Sequence, residues 1–486
     1  MSHWNIVIGL EVHAQLSTHT KLFCSCPVSF GEEPNSSVCP VCLGMPGVLP
    51  VPNSKALESA VKLGLATNCN INNRAMWTRK NYFYPDLPKG YQITQQGDSP
   101  QYDHPICRDG YLDIKLGDQE KKIRIMRIHM EEDAGKLIHD QTPSDSLFDA
   151  NRCGTPLLEI VSHPDIGSAA EAVAYLEKLK QILEYLDISD ANMEKGNLRC
   201  DVNISLRASV HDPLGTRVEI KNMNSFSQLE RAIEAEVALQ ELTLNSGGKI
   251  EQVTKRWDPN QGKTFVMRSK EMAHDYRYFP EPDMLPLTQV TTEYINNLNA
   301  QLPELPQARL SRFKQEYHLG EYEAGVLTAQ KWIADYFDEV CKNTTNAKQA
   351  CNWVMGEILR LAKESPDGAS VSISPRYLAQ LVEMLVQGEI TGRIAKQVFA
   401  LMEGTNEDPQ SLVESRGWKT QKDTGALEKI IEDIVQANPV QVAQYREGKN
   451  KVLGFFVGQI MKATQGKADP GQVNQILLEK LSTVSV

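Results

Sequence analysis

Four cysteines lie close together near the start of the chain, in the segment FCSCPVSFGEEPNSSVCPVCLG. Cys24 and Cys26 form a C-x-C pair, Cys39 and Cys42 form a C-x-x-C pair, and twelve residues separate the two pairs. Two thiolate pairs separated by a loop are typical of a tetrahedral four-sulfur zinc site. A redox dithiol and incidental clustering are the alternatives. Because all four ligands would be protein thiolates, the pattern predicts a structural Zn²⁺ that fixes a loop and takes no part in catalysis.

Carboxylates inside or beside apolar strands form a second set. In IGLEVHAQL the side chains alternate between two faces, so Glu11 and His13 share the face opposite Leu10 and Val12. A strand with one solvated face explains a single pair of this kind. The pattern recurs in HMEEDAGK, LRCDVNISLR and VEIKNMNSF, where the residues are Glu131, Glu132, Asp133, Asp201 and Glu219.

The function of these carboxylates depends on whether they converge in the folded chain. Several carboxylates that face one another repel strongly, and a divalent cation relieves that repulsion. Oxygen ligands with a single imidazole suit Mg²⁺ or Mn²⁺. The sequence alone leaves two hypotheses open, a cation-binding face and a set of solvated strand faces.

Basic and aromatic residues are interleaved in two further segments, RKNYFYPDLPKGYQ and DYRYFPEPD. Lys80, Lys89 and Arg277 stand there among tyrosines. Such loops stack bases and bind phosphates in RNA-binding proteins, but they also form ordinary buried aromatic corners. A P-loop is excluded, because the Gly-Lys-Thr run at 262–264 has Trp257 where the first glycine is required. Any use of ATP would therefore depend on metal ions and basic groups.

Bulk composition excludes several classes of protein. With 486 residues the chain is long enough for about two to four domains. Its formal net charge of −11 argues against a generic nucleic-acid coat but is compatible with a local RNA-binding patch. No apolar run reaches the roughly 18 residues of a membrane-spanning helix, and the start lacks a secretory signal. We therefore expect a cytoplasmic protein whose ten cysteines are reduced thiols or metal ligands.

The distribution of elements predicts an α+β protein with three domains. Residues 1–295 are rich in short β-branched runs separated by turn residues, which predicts a mainly antiparallel sheet. A Pro-rich segment near 280–290 marks the exit from this domain. Residues 296–405 are predicted to form an all-α domain, and residues 406–486 a small helical tail.

Individual elements of the first domain follow from periodicity and capping signals. Strands are predicted at 6–16, 111–116, 122–129, 157–161, 200–207 and 216–221. Two helices interrupt them, and each is expected to begin at a capping box, Ser168 with Glu171 and Ser227 with Glu230. The second helix is expected to stop at the two glycines at 247–248.

Nine motifs occur in a fixed order along the chain. They are IGLEVHAQL, the paired cysteines, GMPGVLPVPN, RKNYFYPDLPKGYQ, HMEEDAGK, RCGTPLLEIVS, LRCDVNISLR, EIKNMNSF and DYRYFPEPD. In this combination the chain resembles the B-subunit family (GatB) of the bacterial Asp/Glu-tRNA amidotransferases. The resemblance covers the whole chain and is densest over residues 1–285.

The resemblance implies a fold and a reaction. The N-terminal domain would be a cradle similar to the glutamine synthetase and guanidino kinase fold, and the helical domain and YqeY-like tail would hold tRNA. The B subunit would use ATP to phosphorylate the side-chain carboxylate of Glu-tRNA(Gln), Asp-tRNA(Asn) or both. In the family's heterotrimer, an amidase (glutaminase) A subunit supplies ammonia through a tunnel to displace the phosphate, and a small C subunit holds A and B together.

The resemblance also assigns residues. The implied magnesium ligands, which form the catalytic set together with Lys80, are Glu11, His13, Glu132, Asp201 and Glu219, and Glu131 is a neighbour of this set. The implied mouth and gate of the ammonia tunnel are Lys80, Lys89 and Glu132, and the four paired cysteines remain the predicted zinc ligands. Local positive charge in the tail predicts tRNA contacts at Lys449, Lys451, Lys462 and Lys467.

Two other functions are compatible with parts of the pattern. In one, the chain is a zinc-containing, RNA-binding assembly factor without kinase activity, and the carboxylates are solvated strand faces. In the other, it is a free-standing metal-dependent hydrolase or ligase. Dependence of ATP turnover on charged tRNA separates these functions from that of the resembled family.

Overall fold

The computed structural model describes residues 4–97, 99–101, 103–138, 145–269, 275–365, 371–420 and 424–483. The chain divides into two compact units, Met1–Pro306 and Gln307–Val486. In the described stretches, every helix is too short or too polar to cross a membrane.

Strands are confined to the first unit and helices occur in both, among the residues described. The strands are β1 (Asn5–Gln15), β2 (Asn70–Ile71), β3 (Thr78–Asn81), β4 (Tyr91–Thr94), β5 (Cys107–Leu116), β6 (Gln119–Glu132), β7 (Lys136–Ile138), β8 (Leu147–Asp149), β9 (Pro156–Ser162), β10 (Leu198–Arg207), β11 (Val218–Lys221), β12 (Val253–Asp258), β13 (Lys263–Ser269) and β14 (Phe279–Pro280). The helices are α1 (Ser54–Ala66), α2 (Ala169–Tyr185), α3 (Phe226–Asn245), α4 (Thr292–Ala300), α5 (Pro306–Glu316), α6 (Glu321–Thr328), α7 (Lys331–Cys341), α8 (Ala347–Trp353), α9 (Leu359–Glu364), α10 (Pro375–Val386), α11 (Gly392–Met402), α12 (Pro409–Ser415), α13 (Thr424–Ala437), α14 (Pro439–Arg446), α15 (Val452–Ala463) and α16 (Pro470–Thr483), with a π-helical turn, Val354–Ile358, between α8 and α9.

Twelve of these strands form one sheet in the described part of the first unit. Its order is β13-β12-β11-β10-β1-β9-β6-β4-β3-β14, and β5 pairs with both β6 and β2 to one side of this path. Neighbouring strands are antiparallel, except that β11 and β12 run parallel. The α+β class, the mainly antiparallel N-terminal sheet and the helices that follow it are therefore confirmed.

Alternation along β1 decides which face of the sheet is apolar. Ile8, Leu10, Val12 and Ala14 are at most 1% exposed and belong to the main hydrophobic core. Helices α1, α2 and α3 contact the sheet and contribute to the same core. Since successive side chains of a strand point to opposite faces, the polar residues between these four face away from the helices.

Helix α2 begins as the sequence predicts. The Ser168 hydroxyl accepts a hydrogen bond from the Glu171 N–H at 3.1 Å and serves as the N-cap. The Glu171 carboxylate turns back to the N–H of Gly167 at 2.7 Å, one residue before the position that a standard capping box uses. In both arrangements the Glu171 carboxylate accepts a hydrogen bond from a backbone N–H at the start of the helix.

The predicted start of α3 is wrong by two residues. The N-cap is Ser225, not Ser227, and its hydroxyl accepts from the N–H of Gln228 at 3.2 Å. The Gln228 side chain accepts in turn from Asn224 N–H. The segment SFSQLE contains two overlapping boxes, and glutamine rather than Glu230 completes the one that forms. The predicted stop is confirmed, since α3 ends immediately before the glycines at 247–248.

Buried apolar residues of the second unit fall into two clusters. The larger extends from Phe313 to Val413 and the smaller from Leu427 to Leu481. Helix α4 packs in the core of the first unit through Leu298. The division into domains at 295 and 405 stays a prediction.

A buried ion-pair network ties α5 to α7 in the second unit. The Asp338 carboxylate accepts hydrogen bonds from Arg309 at 2.6 Å, from Arg312 at 2.7 Å and from the Tyr317 hydroxyl at 2.8 Å. Burial opposes ionisation, but these donors outweigh it and lower the pKa of Asp338. Replacing Asp338 by asparagine is expected to destabilise this unit by about 3 kcal/mol, because Arg309 and Arg312 then lose the largely buried carboxylate that both contact and keep the more exposed Asp335 and Glu316.

Asp335→Asn is the matched control for this prediction. Asp335 contacts the same Arg309 at 2.6 Å, but its side chain is 54% exposed, so its loss should cost less than about 1 kcal/mol. Hydrogen exchange of the α7 amides measures both changes locally. Equal losses of protection in the two variants would show that burial of the Asp338 pair does not stabilise the unit.

Candidate functional site

The polar face of β1 lies opposite acidic residues of its neighbours. Glu11 is paired in register with Asp201 of β10, and His13 with Glu159 of β9. Glu159 is paired in turn with His129 of β6. Residues opposite one another in a sheet share a face, so four adjacent strands bring carboxylates and imidazoles together.

His13, Glu131 and Glu159 form the first group, with one ligand atom from each lying within 4.8 Å of the others. His13 Nε2 is 3.4 Å from the Glu159 carboxylate and 3.8 Å from that of Glu131. Glu131 is 3% exposed and Glu159 4%. Two buried carboxylates around one imidazole form a donor set that fits a hard divalent cation.

His129 provides a second observation that points to a ligand. Its side chain is fully buried, and neither ring nitrogen has a hydrogen-bond partner in the residues described. Its Nε2 lies 3.5 Å from Glu159 and 3.7 Å from Glu131. An unsatisfied buried polar group is costly unless something else satisfies it. The unsatisfied ring nitrogens of His129 therefore lie directly beside the two carboxylates that, with His13, could hold a cation.

The charges of this group are strongly interdependent. Burial would raise the pKa of Glu159, but His129, His13 and Lys80 outweigh burial and lower it. Burial would lower the pKa of His13, but the hydrogen bond with Glu159 and the charges of Glu159, Glu131 and Glu11 raise it to about 9. In the absence of a divalent cation, a protonated His13 thus neutralises part of the negative charge.

Glu11, His13 and Asp201 form a second group that shares His13 with the first. Burial, together with the charge of Glu159, raises the pKa of Glu11 to about 7. Lys221 forms an ion pair with Asp201 and lies 3.2 Å from the Glu219 carboxylate. Glu219 of β11 is paired in register with Asn203, two residues beyond Asp201 in β10, and so shares its face. The structure therefore brings four of the five implied magnesium ligands, Glu11, His13, Asp201 and Glu219, to one face.

Glu132 is the implied ligand that the structure does not bring to this face. It follows Glu131 in β6, and its carboxylate accepts from Ile93 N–H at 2.9 Å and pairs with Lys89. Adjacent strand residues point to opposite faces. Glu131, expected only as a neighbour of the ligand set, takes the position at the cluster.

Glu159 belongs to the site and is absent from the sequence prediction. It lies in the run PLLEIVS, inside the predicted strand at 157–161. The signal that identified Glu219, a carboxylate flanked by apolar strand residues, is present here too. Applied to every predicted strand, that criterion would have found it.

Lys80 supplies positive charge beside the first group. It lies in β3, its ammonium is 4.8 Å from the centre of the Tyr276 ring, and the residue is half-buried. Burial alone would lower its pKa, but the charges of Glu131 and Glu159 raise it above the usual range. A permanently cationic group beside buried carboxylates can hold an anionic substrate.

Lys89 and Glu132 line a separate cavity of about 210 Å³. Its other walls come from the GMPGVLP segment and the cysteine loop, and include Gly44, Met45 and Cys42. A β-carbon on Gly44 would lie 2.2 Å from the Lys89 side chain. The absence of a side chain at position 44 therefore lets Lys89 reach Glu132.

The four predicted zinc ligands converge. One sulfur from each of Cys24, Cys26, Cys39 and Cys42 lies within 4.8 Å of the others, and the Cys39 and Cys42 sulfurs are 3.9 Å apart. Tetrahedral coordination with Zn–S bonds of about 2.3 Å places sulfurs about 3.8 Å apart. The four side chains fit a tetrahedral metal ion, which would be structural because the set is complete without water.

Two protein-family models match the chain. The GatB/GatE catalytic domain matches residues 6–296, and the GatB domain matches residues 335–481. A protein of Prosthecochloris aestuarii, named as the B subunit of an aspartyl/glutamyl-tRNA(Asn/Gln) amidotransferase, is 51% identical over 479 residues, which is 98% of each chain. The chain belongs to the GatB family. A protein of the same name in Geobacter sulfurreducens is 52% identical over 483 residues, which is 99% of each chain. Another in Persephonella marina is 51% identical over 477 residues, which is 98% of this chain and 99% of the other.

The tail lysines of this GatB chain lie at the two ends of one helix. Lys449 and Lys451 precede α15, and Lys462 and Lys467 lie at or after its last turn. Lys467 is half-buried, and the other three are exposed. A helix of twelve residues is about 18 Å long, so the two pairs would contact separate points of a nucleic acid. Their role in tRNA binding stays a prediction.

The shifted pKa values of the GatB site predict a pH-dependent stability in metal-free protein. Folding raises the pKa of Glu11 from 4.5 to about 7 and that of His13 from 6.5 to about 9. The folded protein therefore binds more protons than the unfolded chain, and stability from these groups falls as pH rises from about 5 to 9. Glu11→Gln should be more stable than the wild type at pH 8 by about 1–2 kcal/mol and should lose activity.

Thermal unfolding from pH 5 to pH 9, in buffer free of divalent cations, measures this difference. Adding Mn²⁺ at pH 8 should raise the unfolding temperature of the wild type more than that of Glu11→Gln. Parallel pH curves for the two proteins would contradict the assigned repulsion.

Proposed function

We propose that this chain is the ATP-dependent kinase and transfer subunit of a cytoplasmic tRNA-dependent amidotransferase. It would phosphorylate the side-chain carboxylate of Glu-tRNA(Gln), Asp-tRNA(Asn) or both, and complete the conversion to the amide with ammonia delivered by a partner amidase. The observation that carries this proposal is the group of His13, Glu131, Glu159 and His129 on the polar face of the sheet, with Lys80 beside it.

The reaction explains why such a group is needed. A carboxylate is a poor electrophile, and phosphorylation gives it a leaving group. His13, Glu131 and Glu159 would hold a divalent cation, which would supply positive charge to offset the negative charge that develops during phosphoryl transfer. The first group, the second group of Glu11 and Asp201, or both would hold Mg²⁺ or Mn²⁺.

The cationic side chains around the carboxylates would orient the anionic reactants. Lys80 approaches the first group from β3, and Arg199 reaches it from β10, opposite His13 in register. The Arg199 guanidinium is anchored to Asp133 at 2.9 Å and has a buried Nε without a partner among the described residues. Fixed donors aimed at transferring phosphate account for much of the catalysis in phosphoryl transfer.

Ammonia would reach the activated carboxylate from the opposite face of β6. The cavity lined by Lys89 and Glu132 lies there, behind the strand residue that follows Glu131. An enclosed passage would deliver unprotonated ammonia, which is the reactive species. We propose that the cavity is part of this passage and that a glutaminase A subunit supplies its ammonia. We also propose that a small C subunit stabilises the assembly. The four cysteines would hold a structural Zn²⁺.

ATP turnover by the purified protein tests the proposal. Alone, the chain is expected to hydrolyse ATP slowly; with A and C subunits and Mg²⁺, ADP should form in proportion to misacylated tRNA. Uncharged tRNA is the control and should stimulate little turnover. Rapid hydrolysis without tRNA would indicate a free-standing hydrolase, and amidation that does not consume ATP would remove the kinase role.

A further inference from the structure

A lysine with no carboxylate partner is buried beside the four-cysteine site. Lys21 is fully buried, and no described carboxylate lies within ion-pair distance of its Nζ. Three atoms surround Nζ, the Ser37 carbonyl at 2.8 Å, the Ala150 carbonyl at 3.4 Å and the Cys42 sulfur at 3.6 Å. All three are acceptors, and three is the number of N–H donors that an ammonium group carries.

Burying a cation is costly unless a negative charge compensates it. The effective penalty for a buried ion is several kcal/mol, and two neutral carbonyls offset only part of it. The sulfur of Cys42 is the one contact of Lys21 Nζ that can carry a negative charge, within the residues described. Metal coordination turns that thiol into a thiolate, and four thiolates around one divalent cation leave a net double negative charge.

We infer that Lys21 is the charge-compensating and positioning residue of the four-cysteine metal site, through hydrogen bonding of its ammonium to the metal-bound Cys42 thiolate. This inference rests on the proposed occupancy of that site by Zn²⁺. Partners of metal ligands beyond the ligands themselves tune metal affinity, commonly by one to two orders of magnitude. Lys21 would therefore strengthen binding by removing half of the excess charge.

The backbone around Lys21 links the metal loop to the sheet. Lys21 N–H donates to the Cys26 carbonyl at 3.0 Å, and Leu22 N–H donates to the Gly154 carbonyl at 2.8 Å. Gly154 N–H donates in turn to the carbonyl of Asp133, two residues beyond Glu131 in sequence. A shift of Lys21 would thus be transmitted both to a cysteine ligand and to the end of β6.

Lys21→Met in the full-length protein tests the inference, because methionine keeps the length of the side chain and removes charge and donors. The variant is expected to lose Zn²⁺ to a chromogenic chelator about 10–100 times faster than the wild type. In Co²⁺-loaded protein its sulfur-to-metal charge-transfer band should move to lower energy, since the thiolate loses a hydrogen bond. A lysine that served only to clamp the loop through carbonyls would leave that band unchanged.

Lys255→Met is the matched control. Lys255 is also a largely buried lysine of the first unit, but its partner is the Glu236 carboxylate, at 2.9 Å. Its loss should destabilise the protein without changing the zinc release rate or the cobalt spectrum. Faster zinc release from both variants, with unchanged spectra, would reduce the Lys21 effect to general destabilisation and overturn the inference.

Two results separate the inference from the metal proposal beneath it. Wild-type protein that contains no zinc and binds no cobalt would remove the metal site itself. Tight metal binding with identical behaviour of Lys21→Met would leave the metal site and remove the role of Lys21. If Lys21→Met does not fold, wild-type protein loaded with a spin-active cadmium isotope is examined by NMR. A scalar coupling between the cadmium and the Lys21 ammonium protons is expected, and its absence would contradict the hydrogen bond to the Cys42 thiolate.

Discussion

Replacing Glu159 by glutamine is expected to lower tRNA-dependent amidation about 10³-fold, at the upper end of the effect of removing one preorganised electrostatic group from an active site. Glu159 is 4% exposed and lies 3.4 Å from His13 and 3.5 Å from His129. Glutamine keeps the size and removes the charge that a divalent cation requires. The loss should appear in kcat as well as in kcat/KM, because the cation acts on the transferring phosphate.

Glu236→Gln is the control for the Glu159 prediction. Glu236 is a fully buried carboxylate on α3, in the same unit but away from the polar face of β1. It contacts Lys255 of β12 and Thr264 of β13. The Glu236→Gln variant should be less stable and should keep its affinity for Mn²⁺. Glu159→Gln should bind Mn²⁺ more weakly in an electron paramagnetic resonance titration. Full amidation by Glu159→Gln would remove this carboxylate from the proposed site.

Local sequence patterns were sufficient to predict the fold class and the convergence of the four cysteines. In the strand containing Glu11, buried apolar residues alternate with more exposed residues from Ile8 to Gln15, so the buried face of this part follows from the sequence. The cysteines are close in sequence, and their spacing alone limits how far apart they can be. The start of α3 was missed because Ser225 and Ser227 both offer a capping box, and the local sequence does not decide between them.

The convergence of the carboxylates could not be predicted from local sequence patterns. Register decides which residues of different strands meet, and a shift of one residue moves a side chain to the other face. Glu131 and Glu132 are adjacent carboxylates at the end of β6, and local sequence gives no reason to prefer either as a ligand. The pairing of β6 with β9 aligns His129 with Glu159, and this long-range contact places Glu131 beside His13.

The two adjacent glutamates provide the sharpest test of the proposed division between activation and ammonia delivery. Glu131→Gln is expected to abolish tRNA-dependent ADP formation, by about 10³-fold, because Glu131 lies 3.8 Å from His13 in the first group. Glu132→Gln should retain tRNA-dependent ADP formation within a few fold and lose glutamine-dependent amidation, because its carboxylate pairs with Lys89 in the cavity. The measurement is the ratio of amide formed to ADP formed, in the complete complex.

Each glutamate variant is the control for the other, since the two side chains have the same length, charge and burial and differ only in the face of β6 to which they point. Free ammonium at high concentration should not rescue Glu131→Gln, which cannot activate the carboxylate. If Glu132 only conducts ammonia from the partner amidase, ammonium entering from solvent should rescue Glu132→Gln at least in part. Equal loss of ADP formation in both variants would mean that Glu132 also serves the phosphorylation step, and the assignment of the two faces to two reactions would then be wrong.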